Sequence, residues 1–353
     1  MGPKLLPLII KPGMDKAGRI WSDAEILGGP VIWMQRSEIT GGFVNSAKAF
    51  ITRARRAGKP FYVNVWPDDV HSPFWPPIEK WGDGSKRERY LAVLEEMDRQ
   101  LGALFAHIRN HQSLRDNTLI LVCSDNGPEP GAGEAGPFRG VKTQLYEGGI
   151  RSPLVVWGPG LIAKGKAGTV NQQSVFAAID LVPSLLAISG TAPPAQVQFD
   201  GVAIPDVLLG ESGESRGQPL FFRRPPDRDS FYGVDDLPDL AVRDGDWKLL
   251  CEYDGSQVEL YHLPVDPAEK DNVAISHPSI VRRLSSELLA WHRSMPPDNG
   301  ATYQTAARLK PTKAKRTRPA SRSHYPDWWA ILEDVKQEIE TIRQEGEYGK
   351  ERP

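Results

Sequence analysis

Cysteine is nearly absent from this chain: Cys123 and Cys251 are the two among 353 residues. Two thiols allow one bridge at most, which excludes the disulfide framework of a small stapled domain. Cys123 falls in a continuous apolar run, so it is expected as a reduced thiol buried in a core strand. Long hydrophobic runs are also missing, none approaching the ~20 residues that cross a bilayer. The opening MGPKLLPLIIKPGM is interrupted by Pro7 and lacks a small-residue cleavage site, so it does not read as a signal peptide. Neither sign of charge is in excess, with 43 Lys and Arg against 45 Asp and Glu. That balance excludes nucleic acid or a membrane surface as the main partner. Histidine is sparse, and the seven residues do not cluster as zinc pairs. His107 and His111 stand one helical turn apart, but at the end of a surface-type helix, where such a pair is usually incidental.

What is present is ordinary globular composition, 40% hydrophobic, with 33 Gly and 31 Pro that imply many loops on a packed scaffold. Residues 40–57 begin with a Gly pair and carry apolar Phe43, Ala47, Phe50 and Ile51 at helix spacing. The β-rich run KPFYVNVW (59–66) predicts a strand, and the proline-dense PDDVHSPFWPP after it excludes regular structure. Tyr90, Leu94, Met97, Leu101, Leu104, Phe105 and Ile108 form the clearest helical stripe. LILVC and PLVVWGP read as short apolar strands, and 174–190 as an apolar helix containing Pro183.

This alternation predicts an α/β fold, a mainly parallel sheet flanked by helices, occupying residues 1–206. In such sheets the working residues collect at the carboxyl ends of strands, where both His71 and Asp125 fall. From about residue 207 to 300 the texture changes to short strands joined by turns, then an amphipathic helix at 278–294, which predicts a small α+β subdomain. Residues 301–324 are basic and apolar-poor and read as a solvated linker; 325–353 carry a terminal helix with Trp328, Leu332, Val335, Ile339 and Ile342 at helical spacing.

Three places invite chemistry. Asp125 and Asn126, side by side at a strand exit, offer two oxygen donors suited to a hard cation such as Ca2+ or Mg2+. An Asx turn capping the strand is the alternative, but the following GPEPGAGEAGPFRG is too long and Gly-rich for a plain reversal. Lys142, just beyond that loop, could hold an anionic oxygen or assist a leaving group, or be an ordinary surface lysine. His71, set among prolines and aromatics, could donate to a charged substrate oxygen, with Asp68 and Asp69 able to raise its pKa or bind hydroxyls; a loop histidine with no role is the alternative.

Taken together, these segments resemble the type I sulfatases of the alkaline phosphatase superfamily. SDNG…GPFRGVK…YEGGIRSP is similar to their metal-and-lysine segment, KPFYVNVWPDDVHSPFWPP to their histidine segment, and AVRDGDWKLL…ELYHLPVDPAEKDNV to their C-terminal subdomain. YLAVLEEMDRQLGALFAHI…LRDNTLILVCSDNG fits the helix and strand between, so the likeness runs in order from about residue 40 to 295. The resemblance implies hydrolysis of sulfate esters, with sulfated carbohydrates as a substrate class, and export of the parent enzyme to the periplasm or outside. It implies Asp125 and Asn126 as Ca2+ ligands, and His71 and Lys142 as catalytic groups contacting the sulfate. Asn126 argues against two-zinc phosphoester or phosphonate hydrolysis, because zinc prefers imidazole where this chain offers an amide oxygen.

The family's C/S-x-P-x-R motif, source of its formylglycine nucleophile, is not found in this sequence, nor are its paired N-terminal aspartates or its GK-x-H-x-G segment. The expectation is therefore a C-terminal portion of a sulfatase, with an incomplete calcium site and no turnover on its own. A non-catalytic binder of sulfated ligands is the remaining alternative.

Overall fold

The computed structural model describes residues 4–20, 31–224 and 237–296. The linker expected at 301–324 and the helix expected at 325–353 lie outside the described residues. The described residues divide into two compact units, one up to residue 110 and one from residue 111 onward.

The first unit opens with β1 (Lys4–Ile9), β2 (Gly18–Arg19) and β3 (Val31–Gln35), in the order β2-β1-β3. β1 runs parallel to β3 over five residue pairs and antiparallel to β2 over two. The sequence gives weak notice of β1 because Pro7 lies inside it. Pro7 accepts a hydrogen bond from the Ile20 amide at 3.2 Å but has no N–H to return. The β1–β2 ladder accordingly stops at two residues.

Helix α1 (Ile39–Arg56) follows, burying Ile39, Val44, Ala47 and Ile51. Gly42 brings its first turn against the sheet: a Cβ there would lie 2.7 Å from both Leu5 Cδ1 and Met34 Sδ. The helix ends at Ala57 and at Gly58, whose φ of 63° suits glycine. Helix α2 (Lys86–Arg109) is capped by Ser85, whose hydroxyl accepts from the Glu88 amide at 3.1 Å. Its buried face differs from the purely apolar stripe expected. Leu94 is 37% exposed, whereas Glu96 and Gln100 are buried beside Val93 and Leu104. The reason lies in α1, whose N-cap residue supplies no side-chain bond. Gln100 Oε1 accepts from the Gly41 amide, and Gln100 Nε2 donates to Ser37 O at 2.5 Å and to Glu96 Oε1 at 2.7 Å. Backbone groups that a helix start leaves unpaired are thus satisfied from the neighbouring helix.

The second unit contains α3 (Gln112–Arg115), β4 (Ile120–Cys123), α4 (Glu147–Ile150), β5 (Leu154–Trp157), α5 (Ala178–Ile188), α6 (Pro205–Leu208), β6 (Leu220–Arg223), β7 (Leu240–Asp244), β8 (Trp247–Cys251), β9 (Glu259–His262) and α7 (Pro278–Ser294). β4 pairs antiparallel with β5, Ile120 opposite Trp157 and Cys123 opposite Leu154. β6 to β9 form an antiparallel meander, as the turn-rich texture after residue 206 predicts. Its core consists of Leu240, Val242, Leu249, Cys251 and Leu260 packed with Leu284 and Leu288 of α7. Among the described residues β1 pairs with β3 in parallel and the other strand pairs are antiparallel, so this α/β chain carries mixed sheets together with its helices. None of the helices described is long and apolar enough to cross a membrane.

Two local expectations are corrected. Residues 59–66 form neither strand nor helix and join no sheet among the described residues. Cys123 is exposed, not a buried core thiol: among the described residues β4 pairs with β5 alone, and Cys123 is the last residue of the strand.

Candidate active site segments

In the first unit, the loop Pro67–Pro77 is irregular, as its prolines require. It is nonetheless fixed. Phe74 is buried and meets Tyr90 of α2 edge-on, ring centroids 5.4 Å apart. Arg36, itself buried, donates to Asp68 O at 2.6 Å and lies 2.8 Å from Asp68 Oδ1 and 3.6 Å from Asp69 Oδ1. Asp69 is 4% exposed and accepts from the Thr40 hydroxyl. Burial pushes its carboxyl above the usual range, opposed by the Thr40 hydrogen bond and by Arg36. Asp69 therefore braces the loop against the start of α1 and is not a group offered to substrate hydroxyls. The His71 amide closes the turn on Asp68 O at 3.0 Å, and its ring is exposed. His71 Nδ1 lies 2.7 Å from Ser72 O, so Nδ1 is the donor.

In the second unit, β4 ends at Cys123, and Asp125 and Asn126 follow it. Ser124 and Ser152 both donate to Asn126 O, at 2.8 and 3.3 Å. Asn126 Nδ2 donates to Gly127 O at 2.8 Å. Its amide oxygen then faces away from that bond, and among the described residues no hydrogen bond or ion pair engages it or the exposed Asp125 carboxylate.

Close backbone contact between two loops sets this turn in place. The Gly127 amide donates to Gly149 O at 2.8 Å, the Gly148 amide to Arg139 O at 2.6 Å, and the Lys142 amide to Pro128 O at 3.0 Å. Cβ atoms on Gly127, Gly148 or Gly149 would lie 2.0 to 2.3 Å from carbonyl oxygens, so only glycine permits the approach. The long Gly-rich loop noticed in the sequence thus folds back to set Lys142 beside the segment carrying Asp125 and Asn126. Lys142 is half-buried, and no ion pair holds its ammonium among the described residues.

Sequence reasoning missed what anchors these loops. Glu147, the first residue of α4, is 1% exposed and accepts from Lys248 Nζ at 3.0 Å. Lys248, from β8, is wholly buried and lies 2.8 Å from Glu269 Oε1. Glu269 Oε2 accepts from the Glu147 amide at 2.6 Å, and Arg243 adds a second cation to Glu147 at 3.4 Å. Burial raises the Glu269 carboxyl, against the lowering effect of Lys248. A lysine inside the apolar strand WKLLC was the available signal, since alternation alone would place it facing water.

Asp125 and Asn126 fit a calcium ion in kind, their side-chain oxygens being hard donors not engaged by other groups among the described residues. They do not fit in number, since Ca2+ takes six to eight oxygens. Among the described residues no group of three His, Cys, Asp or Glu is placed to hold a metal. His71 belongs to the first unit, Asp125, Asn126 and Lys142 to the second.

Comparison with known proteins gives a consistent family. The sulfatase profile matches residues 38–191, and the profile described as N-sulphoglucosamine sulphohydrolase, C-terminal, matches 133–294. An N-acetylgalactosamine-6-O-sulfatase of Bacteroides thetaiotaomicron is 29% identical over 290 residues, 74% of this chain and 52% of that protein. The N-acetylgalactosamine-6-sulfatase of Canis lupus familiaris is 31% identical over 53% of this chain and 35% of its own length. Among solved structures, one from work on metabolism of multiple glycosaminoglycans by Bacteroides thetaiotaomicron superposes with a TM-score of 0.61 at 27% identity, covering 74% of this chain and 56% of that one. A sulfatase from Pseudoalteromonas sp. gives 0.58 at 25% identity, covering 75% and 55%. The chain spans about half, or less, of the length of these relatives. The glycine-locked loop carrying Asp125, Asn126 and Lys142 and the antiparallel meander both lie inside the matched residues, so from residue 38 to 294 this chain is similar to the sulfatases.

Proposed function

We propose that this chain is the part of a sulfate-ester hydrolase that supplies a cationic amine, an imidazole and half of a calcium site, and that the intact enzyme acts on sulfated carbohydrate outside the cytoplasm. The observation carrying this reading is the pairing of the two loops, in which Lys142 is tied to Pro128 at 3.0 Å, two residues past Asn126. Asp125 and Asn126 Oδ1 are the proposed metal ligands. Bound there, Ca2+ would supply a hard positive charge to sulfuryl oxygens. Lys142 would hold an anionic sulfate oxygen through its ammonium, where a compact charge and three donors suit a tetrahedral anion. His71, with Nδ1 donating to Ser72 O, is the group proposed for proton transfer to the departing oxygen. The names of the relatives, which are N-acetylgalactosamine 6-sulfatases, support a 6-sulfated amino sugar as substrate class.

For the chain taken alone, a second reading is favoured by one observation: C/S-x-P-x-R occurs nowhere in its 353 residues. Without that nucleophile it would bind a sulfated ligand and not turn it over.

Calorimetric titration with N-acetylgalactosamine 6-sulfate and with the unsulfated sugar, in Ca2+, tests the assignment. The sulfated sugar is expected to bind, the unsulfated sugar not, and Lys142→Ala to weaken binding about tenfold or more, the loss of one charge-assisted contact. Equal binding of the two sugars would overturn the assignment. Aryl sulfate turnover by the purified chain, abolished in Lys142→Ala, would overturn the claim that it is inactive alone.

A further inference from the structure

The loop that carries His71 also presents a tryptophan at its proline-rich end. Burial alternates there: Phe74 and Pro76 are buried, and Trp75 is half-buried between them. A 3-10 turn over Ile78–Lys80 follows, closed by the Trp81 amide, which donates to Ile78 O at 3.2 Å. This brings the Trp81 ring to 6.1 Å from that of Trp75, centroid to centroid, with the two planes tilted by 43°. Trp81 is likewise half-buried. From the first turn of α2, Arg89 sets its guanidinium over the Trp81 ring, 5.6 Å from the centroid. The polar groups of this cluster are uncommitted. Among the described residues no hydrogen bond engages the indole N–H of Trp75 or Trp81, and no hydrogen bond or ion pair engages the Arg89 guanidinium. The acids at the start of α2 are occupied with backbone: Asp83 Oδ1 accepts from the Ser85 amide at 2.6 Å, and Glu88 Oε2 from the Asp83 amide at 2.7 Å.

Two indoles and a half-buried cation with spare donors restrict the ligand. An apolar side chain would cover the rings but leave the guanidinium and the indole N–H groups unpaired against it. A bare anion would satisfy Arg89 and leave the rings uncovered. A sugar ring bearing a carboxylate meets all three needs. Its C–H face packs on an indole, its hydroxyls accept from the N–H groups, and its planar carboxylate matches the fork of Arg89. Trp75 is four positions from His71, so their backbones are at most ~14 Å apart, a span that a few linked sugar rings cover. We propose that Trp75, Trp81 and Arg89 form a subsite for a uronic acid in the same carbohydrate chain as the sulfated sugar that His71 acts on. The subsite rests on the sulfated-carbohydrate reading given above, which it extends from one sugar to an oligosaccharide.

The test titrates the purified protein, in Ca2+, with N-acetylgalactosamine 6-sulfate and with a tetrasaccharide in which that sugar alternates with glucuronic acid, by calorimetry and by NMR of the indole N–H groups. The tetrasaccharide is expected to bind about tenfold or more tightly than the monosaccharide, the order of one charge-assisted contact with one covered ring face. It alone should shift the Trp75 and Trp81 indole resonances, a readout that needs no variant to fold. Trp81→Ala and Arg89→Gln should each remove most of the advantage and leave the monosaccharide affinity unchanged, whereas Trp81→Phe, which keeps a ring, should retain it. Reducing the carboxylates of the tetrasaccharide to alcohols should have the same effect as Arg89→Gln. Lys142→Ala should weaken both ligands alike. Equal affinity for the two ligands, or an advantage that survives Trp81→Ala and carboxylate reduction, overturns the subsite while leaving the monosaccharide result, and with it the sulfate reading, intact. Indole shifts matched by a nucleoside monophosphate overturn the sugar assignment. Absence of binding by either ligand overturns both the reading and the subsite.

Discussion

The ammonium of Lys248 lies 3.0 Å from the carboxylate of Glu147, and both side chains are withdrawn from water. This pair joins β8 of the antiparallel meander to the first residue of α4. Of the two glycines that follow Glu147, Gly149 accepts from the amide of Gly127, the residue after Asn126, and Gly148 donates to Arg139 O. Lys248→Met would leave the buried carboxylates of Glu147 and Glu269 without their shared cation. We expect a loss of about 3–5 kcal/mol in urea unfolding, the cost of breaking a buried pair by removing one partner. A loss below about 1 kcal/mol would show that water or Arg243 already neutralises the pair.

Gly127→Ala tests the loop contact itself. The new Cβ would lie 2.0 Å from Gly148 O, a backbone atom that cannot rotate aside. Destabilisation of about 2 kcal/mol or more is expected in the same assay. The Lys142 amide, bonded to Pro128 O, should lose hydrogen-exchange protection with it. An alanine variant as stable as the parent would mean that the two loops are not locked together.

The incomplete calcium site predicts weak binding. With Asp125 and Asn126 as the donors, titration calorimetry should give a Kd of about 1 mM or weaker, the range of sites with few charged ligands. Asp125→Asn should remove the signal. Micromolar affinity would require further ligands, and would show that the site is complete in this chain.

Asp69 gives a pH dependence with a definite sign. Its folded carboxyl is raised above the ordinary 3.8 because burial disfavours the charge. The folded state therefore holds the proton more tightly than the unfolded chain. The contribution to stability is fully present below the unfolded value and is lost as pH rises through the folded one. Asp69→Asn removes this dependence. The stability of the parent minus that of the variant should thus fall as pH is raised from below 3.8 towards neutrality, measured by urea unfolding at several pH values. A difference that rises with pH would mean that Arg36 and Thr40 outweigh burial.

The two thiols should be distinguishable. Cys251 is buried and its pKa is pushed up to about 12 by burial and by the nearby Glu252, Asp254 and Asp239 carboxylates. Cys123 is exposed. A thiol reagent at pH 8 should label Cys123 in the native protein and reach Cys251 only after unfolding. Native labelling that survives in Cys123→Ser would contradict the burial of Cys251.

Much of this was legible in the sequence. The periodicity of 40–57 and of the stripe from Tyr90 to Ile108 marks α1 and α2, and the turn-rich stretch after residue 206 marks the meander, because these patterns depend on neighbours a few positions away. The DNG segment, the Gly-rich loop and the lysine after it identified the candidate site for the same reason. Pro7 hid β1, since its lost donor matters only once the pairing side is known. Leu94 and Gln100 exchanged their expected places on α2, because the start of α1 needs hydrogen-bond partners that no local pattern reveals.

The sequence by itself pointed to the sulfatase resemblance, to the main helices and the C-terminal meander, and to the residue types offered to a metal and to an anion, all of which are written in short-range spacing. Only the tertiary structure decided that Lys248 is buried, that Asp69 braces a loop instead of facing substrate, and that residues 59–66 join no sheet among the described residues. Each of those outcomes depends on what another segment, distant in the chain, brings or fails to bring within hydrogen-bonding distance.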